Sequence, residues 1–139
     1  MCSKTWLSED GLWYYKEQPK TLCDNEVWCL NRMLKYGYAP EVERVDTEVI
    51  RTRYIERLPV TSYKGFMWHL PMVLHALEKE GIRHGDLSIY GVIPHDNKPY
   101  LIDFAESRLA CDPRPDKRPE GDEHWLTQTM EYFALGNII

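Results

Sequence analysis

The sequence lacks any long hydrophobic run. Nowhere in its 139 residues is there a stretch near the roughly 18 apolar residues that a membrane-spanning helix needs. The N-terminus also lacks the basic and then apolar order of a secretory signal. We therefore predict neither a transmembrane helix nor a signal peptide, and we expect a cytoplasmic location.

Cysteine is scarce, and its spacing forms no recognisable pair. The four cysteines are Cys2, Cys23, Cys29 and Cys111. They contain no C-x-x-C motif, which argues against a zinc site or a redox pair. We expect reduced thiols.

An excess of basic charge is also missing. The formal net charge of -5 gives no generic attraction to nucleic acid or to an anionic membrane. Arg114, Lys117 and Arg118 nevertheless form a local basic cluster within a Pro-rich segment, residues 112–119, which we expect to be an exposed loop. A hydrophobic content of 43% and an aromatic content of 12% predict one folded globular domain.

Short β-rich segments alternate with amphipathic helices. Strands are predicted over residues 5–7, 12–16, 42–45 and 49–55. A further hairpin is predicted from residues 92–93 and 100–102. The first pair turns at Asp10-Gly11, and the last turns around Asn97. The sequence therefore predicts antiparallel strand pairs.

Three helices follow from helical spacing of apolar residues. The first has a capping box at Thr21 and Asp24 and ends near Gly37. Its predicted apolar residues are Val27, Leu30 and Leu34. The second spans residues 66–80, with Pro71 either in the first turn or at a kink. Its predicted apolar residues are Leu70, Val73, Leu74 and Leu77. The third spans residues 120–133.

Two aspartates carry the strongest chemical signal. Asp86 lies in His84-Gly85-Asp86-Leu87, and Asp103 follows 17 positions later in Leu101-Ile102-Asp103-Phe104. The predicted hairpin between them brings both to one sheet edge. One carboxylate can then take a proton from an acceptor hydroxyl, while the other holds Mg²⁺ on ATP phosphates. Taken alone, each is also explained as an aspartate in a turn or at a strand end.

With these motifs the sequence resembles the protein-kinase-like superfamily, especially small atypical members such as RIO-type kinases and aminoglycoside phosphotransferases. H-G-D-L often replaces H-R-D-L in these proteins, and the likeness runs from about Lys16 to about Phe133. The resemblance implies an α+β fold, a minimal bilobal kinase-like domain. Residues 1–57 would form a small antiparallel β-sheet lobe with one helix, and residues 58–139 a reduced, mainly helical lobe.

The resemblance also implies an activity. The chain would be an ATP- and Mg²⁺-dependent kinase that transfers the γ-phosphoryl group to a hydroxyl acceptor, with Asp86 as catalytic base and Asp103 on the metal. Lys16 would hold the α and β phosphates, and Glu26 would orient Lys16.

Five further residues take supporting roles by the same resemblance. Arg53 and Ile55 lie in the tract that links the lobes and binds adenine through backbone groups. His84 and Phe104 support the site by packing. Asp122 braces the catalytic loop, although an aspartate early in a helix also has a simple dipole explanation.

Three departures from the kinase pattern keep a second hypothesis open. Position 91, where kinases place an asparagine for the second metal, is Gly91. Pro119-Glu120 almost touches Asp122, so the usual A-P-E-to-helix spacing is missing, whereas Ala105 in place of the last glycine of D-F-G restricts the backbone but is not disabling. The segment from Ser8 to Gly11 carries two acids where kinases have a Gly-rich loop whose amides contact phosphates. The alternative is therefore a catalytically impaired pseudokinase that acts as a binding or regulatory module.

Two more expectations concern partners and a third possible function. The short second lobe would leave apolar faces of the helices at residues 66–80 and 120–133 uncovered, which predicts a homo-oligomer or a protein partner. A metal-dependent hydrolase built from His84, Asp86 and Asp103 is a third hypothesis. The other histidines show no ligand spacing that supports it.

Overall fold

The protein is described by a computed structural model over residues 4–84, 92–104, 107–109 and 128–129. The strands are β1 (Lys4–Leu7), β2 (Trp13–Glu17), β3 (Val42–Asp46), β4 (Val49–Arg53), β5 (Ile82–Arg83), β6 (Val92–His95), β7 (Lys98–Leu101) and β8 (Arg108–Leu109). The helices are α1 (Lys20–Leu34) and α2 (Tyr63–Lys79). This is the predicted α+β fold, with an antiparallel sheet lobe followed by a second, smaller set of elements.

The first lobe is a four-stranded antiparallel sheet in the order β1-β2-β4-β3. Lys16 pairs with Ile50 and Tyr14 pairs with Thr52. Because successive side chains alternate between faces, these four side chains share the face that includes buried Ile50. The sheet therefore presents Lys16 towards the interior of the molecule.

Helix α1 packs on this lobe, but two predictions about it are wrong. It begins after Pro19 and has no side-chain cap hydrogen bond, so Thr21 and Asp24 do not form a capping box. Pro19 presets the backbone angle that a helix start needs. The buried residues of α1 are Cys23, Glu26, Cys29, Leu30 and Met33. The predicted apolar stripe therefore shares only Leu30 with the buried face, which otherwise consists of two cysteines, Glu26 and Met33.

Helix α2 begins three residues earlier than predicted. The Ser62 hydroxyl accepts a hydrogen bond from the Gly65 backbone N-H at 3.2 Å and caps the helix. Pro71 lies inside the helix, not in its first turn. The buried side chains are Phe66, Leu70, Val73, Ala76 and Leu77, so the predicted stripe is confirmed except at half-buried Leu74.

The second lobe contains two strand pairs in its described part. The predicted hairpin is confirmed as β6 and β7, with Asp96 and Asn97 in the turn at φ of 51° and 60°. Asn and Asp tolerate this left-handed backbone better than most residues. The pairing of β5 with β8 was not predicted, because each strand has two residues. The predicted loop at residues 112–119 and most of the third helix lie outside the described residues.

One core joins the two lobes. Leu30 and Met33 from α1 belong to the same buried cluster as Phe66 from α2, together with Leu101 and Phe104. Neither of the two helices in the described ranges combines the length and apolar character that crossing a bilayer requires.

Candidate active site

Lys16 and Glu26 form an ion pair between the sheet and α1. The Lys16 Nζ lies 3.2 Å from Glu26 Oε1, with side-chain exposures of 14% and 5%. Glu26 Oε1 also accepts a hydrogen bond from Gln18 Nε2 at 2.8 Å, and its Oε2 accepts one from the Phe104 backbone N-H at 3.3 Å. A buried carboxylate needs such compensation, and the sheet, the helix and the Phe104 segment supply it together.

Asp103 completes an ion triad, which we define as Lys16, Glu26 and Asp103. Asp103 Oδ1 lies 3.1 Å from Lys16 Nζ, and its side chain is 66% exposed. Its backbone has a φ of 64°, a left-handed conformation that costs a non-glycine residue about 1 kcal/mol or more. The surrounding contacts hold Asp103 at the point where the buried pair meets solvent.

The ion triad fixes the charge of Lys16. Burial lowers the pKa of the Lys16 ammonium, but the nearby carboxylates of Glu26 and Asp103 outweigh that effect, and the pKa lies above its usual value. Lys16 is therefore positively charged at neutral pH. A cation between two carboxylates can accept a phosphate in place of one of them.

A cavity of about 300 Å³ opens beside the triad. Its lining residues are Tyr14, Lys16, Glu26, Leu30, Pro40, Ile50, Thr52, Arg53, Tyr54, Ile55, Arg57, Ile93, Ile102 and Asp103. Apolar side chains from both lobes form most of the wall, while the triad makes one end polar. This volume is at the lower end of the range for small-molecule sites, and the mix of an apolar wall with few polar groups is typical of them.

The tract linking the lobes borders the cavity, and Arg53 and Ile55 are among the residues of the tract that line it. It is fastened at both ends: the Tyr54 N-H donates to the Leu12 carbonyl at 2.9 Å, and the Leu58 N-H donates to the Pro94 carbonyl at 2.8 Å. The Arg57 guanidinium also donates to the Val92 carbonyl at 2.8 Å. These bonds connect the first hairpin, the tract and β6 into one wall.

His84 and Phe104 lie behind Asp103. The His84 Nε2 donates to the Ile102 carbonyl at 3.0 Å, so this nitrogen carries a proton. The His84 ring packs against Phe104 with centroids 4.7 Å apart. His84 is 1% exposed, which suits a structural contact better than metal ligation and leaves the hydrolase hypothesis without support among the described residues.

The β1–β2 loop from Ser8 to Gly11, which we name the hairpin tip, lies next to the linking tract, because the Leu12 carbonyl beside it accepts from the Tyr54 N-H at 2.9 Å. Its polar groups bond to one another or to neighbouring backbone. The Ser8 hydroxyl donates to Asp10 at 2.6 Å and accepts from the Trp13 N-H at 3.0 Å. The Asp10 carboxylate accepts from the Leu12 N-H at 3.0 Å. The Gly11 N-H donates to the Ser8 carbonyl at 3.0 Å.

Asn97 is held away from any metal role. Its Oδ1 accepts hydrogen bonds from the backbone N-H groups of Thr61 and Ser62, both at 2.8 Å. These groups precede α2, so Asn97 fastens the β6–β7 turn to the start of that helix. The Asn97 side chain is therefore used in a structural contact between this turn and α2.

Several predicted site residues lie outside the described residues. They are Asp86, Asp122, Gly91, Ala105 and the basic cluster of Arg114, Lys117 and Arg118. Their roles stay predictions. Within the described ranges, no group of three or more potential His, Cys, Asp or Glu ligands surrounds a metal position.

Two residues of the site were missed from the sequence. Gln18 is 4% exposed and bonds Glu26. The Asn25 Nδ2 donates to the Phe104 carbonyl at 3.1 Å and also to the Ser107 carbonyl. One signal in the sequence could have found Asn25. It lies directly before Glu26, the polar residue already assigned to the site, and just ahead of the predicted apolar stripe of the same helix.

Comparison with known proteins identifies this arrangement as kinase-like. Residues 14–114 match the family model described as the RIO domain. Because the match covers most of the chain, the protein belongs to the RIO family. No curated protein sequence matches the chain.

Two solved structures share the fold. A complex of Rio2 kinase from Chaetomium thermophilum with ADP/Mg²⁺ and phosphoaspartate superposes with a TM-score of 0.65 at 12% identity, covering 99% of this chain and 53% of that one. The PK-1 kinase of Cydia pomonella granulovirus gives a TM-score of 0.54 at 16% identity, covering 70% and 45%. The chain thus spans about half the length of these kinases.

Proposed function

We propose that this chain is an ATP- and Mg²⁺-dependent phosphotransferase that transfers the γ-phosphoryl group to a hydroxyl acceptor. One observation carries the proposal: the Lys16 Nζ lies within 3.2 Å of two carboxylates at the polar end of an apolar cavity. A binding scaffold needs no partly buried ammonium in that place. A nucleotide site needs one to hold phosphates.

The nucleotide is proposed to bind with its base between the lobes. Ile50 and Ile102 offer apolar surface to a flat ring, while the tract with Arg53 and Ile55 offers backbone groups. The phosphates would then reach Lys16, which Glu26 holds in place. In this assignment the apolar part of the cavity wall contacts the base, and its polar end contacts the phosphates.

Mg²⁺ is proposed to bind at Asp103. An exposed carboxylate at the cavity end suits a hard cation that keeps several waters and takes phosphate oxygens as ligands. When bound, the metal would neutralise charge on the phosphates. The complex of the Chaetomium kinase with ADP and Mg²⁺ supports nucleotide and metal as ligands of this chain.

The proposed reaction uses Asp86 as the base. The acceptor oxygen forms a bond to the γ-phosphorus as the bond to the bridging oxygen of ADP breaks, and Asp86 takes the acceptor proton. His84 and Phe104 support the backbone nearby, and Asp122 is proposed to brace the loop. The basic cluster near position 114 is proposed to face the acceptor.

Release of ADP from ATP, measured with and without candidate hydroxyl acceptors, tests this activity. We expect acceptor-stimulated, Mg²⁺-dependent release by the wild-type chain, and a loss of about a hundredfold or more in Asp86→Asn. Asp96→Asn removes an exposed carboxylate in the β6–β7 turn and serves as the matched control. Equal rates for wild type and Asp86→Asn would refute the proposed role of Asp86.

A pseudokinase is the second candidate, favoured by the hairpin tip. Its Ser8 and Gly11 amides bond within the hairpin, and it carries two acids, Glu9 and Asp10, in place of the glycines of a phosphate-binding loop. In that case the folded chain would bind no nucleotide at millimolar concentration. A thermal-shift titration with ATP and Mg²⁺ separates the two candidates before any acceptor is known.

Domain boundaries, partners and location extend the proposal. We propose that the lobes divide after residue 57, inside the linking tract, and that the protein is cytoplasmic. Trp68 is 64% exposed and Met72, one turn later on α2, is 38% exposed, which supports a second copy or a protein partner on this helix. Sedimentation velocity of the wild type and of Trp68→Glu tests self-association.

A further inference from the structure

Helix α1 forms hydrogen bonds to the backbone on both sides of Phe104. The Glu26 Oε2 accepts from the Phe104 backbone N-H at 3.3 Å, and the Asn25 Nδ2 donates to the Phe104 carbonyl at 3.1 Å. The same Asn25 nitrogen donates to the Ser107 carbonyl. Two consecutive residues of one helix therefore bind both peptide groups that flank Phe104.

These hydrogen bonds restrain Asp103, the residue directly before Phe104. Asp103 has a φ of 64°, and a non-glycine residue stays in this conformation only where its surroundings determine it. Its side chain is 66% exposed, so packing of the side chain contributes little. The bonds to Phe104 and Ser107 restrain the backbone that follows Asp103, while the His84 bond to the Ile102 carbonyl restrains the backbone before it and Lys16 contacts its carboxylate.

The chemistry of Asn25 matches this task. Two carbonyl oxygens, one from Phe104 and one from Ser107, need a donor with two hydrogens on one atom, and an amide nitrogen is such a donor. The Phe104 carbonyl also accepts from the Ser107 N-H at 3.0 Å. An aspartate at position 25 would place a third hydrogen-bond acceptor, its carboxylate, against the two carbonyl acceptors of Phe104 and Ser107.

We propose that Asn25 is a positioning residue that holds Asp103 through the backbone of Phe104 and Ser107 and thereby sets the Mg²⁺ affinity of the site. The inference rests on the proposed function, because it assigns the metal to Asp103. Groups that orient a metal ligand from outside the coordination shell typically change affinity by about 10–100-fold when removed.

Two variants and a matched control test the positioning role without nucleotide. Asn25→Asp removes the donors at nearly constant shape, and Asn25→Ala removes them without adding charge. Asn31→Asp makes the same change at an exposed position of the same helix. Amide hydrogen exchange should be at least about tenfold faster at Phe104 and Ser107 in both Asn25 variants, and unchanged in Asn31→Asp.

A Mg²⁺ titration of the ATP complex tests the effect on the metal. For both Asn25 variants we expect the Mg²⁺ midpoint to rise about tenfold, while ATP affinity in the presence of a chelator is unchanged. Asn25→Asp adds a negative charge near the site, which by itself would favour a cation. A weaker Mg²⁺ response in this variant therefore cannot come from its charge.

The outcomes separate this inference from the proposed function. Unchanged exchange at Phe104 and Ser107 in both variants overturns the positioning role, whatever ATP does. Faster exchange with an unchanged Mg²⁺ midpoint overturns the link to metal affinity. If the wild type binds no ATP, the proposed function and the link to the metal both fail, and the exchange data alone decide whether Asn25 holds the segment.

Discussion

The ion triad and the hairpin tip differ in where their polar groups are directed. In the triad, side chains from β2, α1 and the segment after β7 converge, and Lys16 contacts two carboxylates within 3.2 Å. In the hairpin tip, Ser8, Asp10 and Gly11 bond to one another and to the strand that follows. The triad has a charged group available for a ligand, whereas the Ser8 and Asp10 side chains of the tip are already used in bonds within the hairpin.

This difference indicates how phosphates would be held. In many kinases a glycine-rich loop covers them with backbone N-H groups. Here the Leu12 and Trp13 N-H groups already donate to the side chains of Asp10 and Ser8, and Glu9 adds negative charge. Phosphate affinity should therefore depend on Lys16 and the metal, with little contribution from the hairpin tip.

Removing the cation of the triad should have the largest effect. Lys16→Met deletes the phosphate contact and leaves Glu26 buried with one fewer partner. We expect phosphotransfer to fall about a hundredfold or more and the free energy of unfolding to fall by about 3 kcal/mol. Rate assays and urea denaturation measure the two effects.

Lys20→Met is the matched control for that variant. Lys20 is 63% exposed and pairs with Asp24 on the surface of α1. Exposed pairs of this kind contribute about 0.5 kcal/mol or less, so activity and stability should stay near wild type. Equal losses in both lysine variants would contradict the special role of the triad.

Replacing an acid of the hairpin tip by a cation should have a moderate effect. It should raise ATP affinity, whereas the loss of Lys16 lowers activity. Glu9→Lys replaces an exposed acid by a cation in the hairpin tip, beside the linking tract, and we expect ATP affinity to rise about threefold to tenfold at low salt through long-range attraction. Affinity for unphosphorylated adenosine should not change. Glu78→Lys, at an exposed position of α2, makes the same change away from the cavity, and a similar gain there would indicate a general charge effect.

Breaking the internal bonds of the hairpin tip should have the smallest effect on the ligand. Ser8→Ala removes the hydroxyl that bonds Asp10 and the Trp13 N-H. Stability should fall by about 1 kcal/mol, while ATP affinity, measured by calorimetry, should stay within about twofold. A large loss of affinity would mean that the tip does bind phosphates.

The charged residues of the site were more predictable from sequence than the residues that hold them in place. Lys16 at a strand end, Glu26 in the next helix and Asp103 after an apolar strand were assigned by motif, and the structure brings these three side chains together. Gln18 and Asn25 were missed because their partners are a side chain and backbone carbonyls distant in sequence. No local pattern encodes such contacts.

The errors in the fold have a related cause. Val27 and Leu34 fit a helical stripe, yet the core selects Cys23 and Met33, because the packing surface of α1 is set by the sheet and by Phe104. The start of α1 depends on Pro19 and not on a side-chain cap. Strands of two residues, such as β5 and β8, carry too little pattern to predict and form through tertiary contacts.

Calorimetric titration of ATP, with and without Mg²⁺, into wild type, Asp103→Asn and Asp96→Asn tests the central claim most directly. Asp103 and Asp96 both have a positive φ, which asparagine also tolerates. The two variants therefore make the same chemical change in a similar backbone conformation and differ mainly in their position relative to the cavity. We predict that Mg²⁺ strengthens binding to wild type and Asp96→Asn, and that Asp103→Asn loses this gain while keeping its affinity in chelator. Identical Mg²⁺ dependence in all three proteins would contradict the account. So would the absence of binding at millimolar ATP, a limit near roughly -4 kcal/mol.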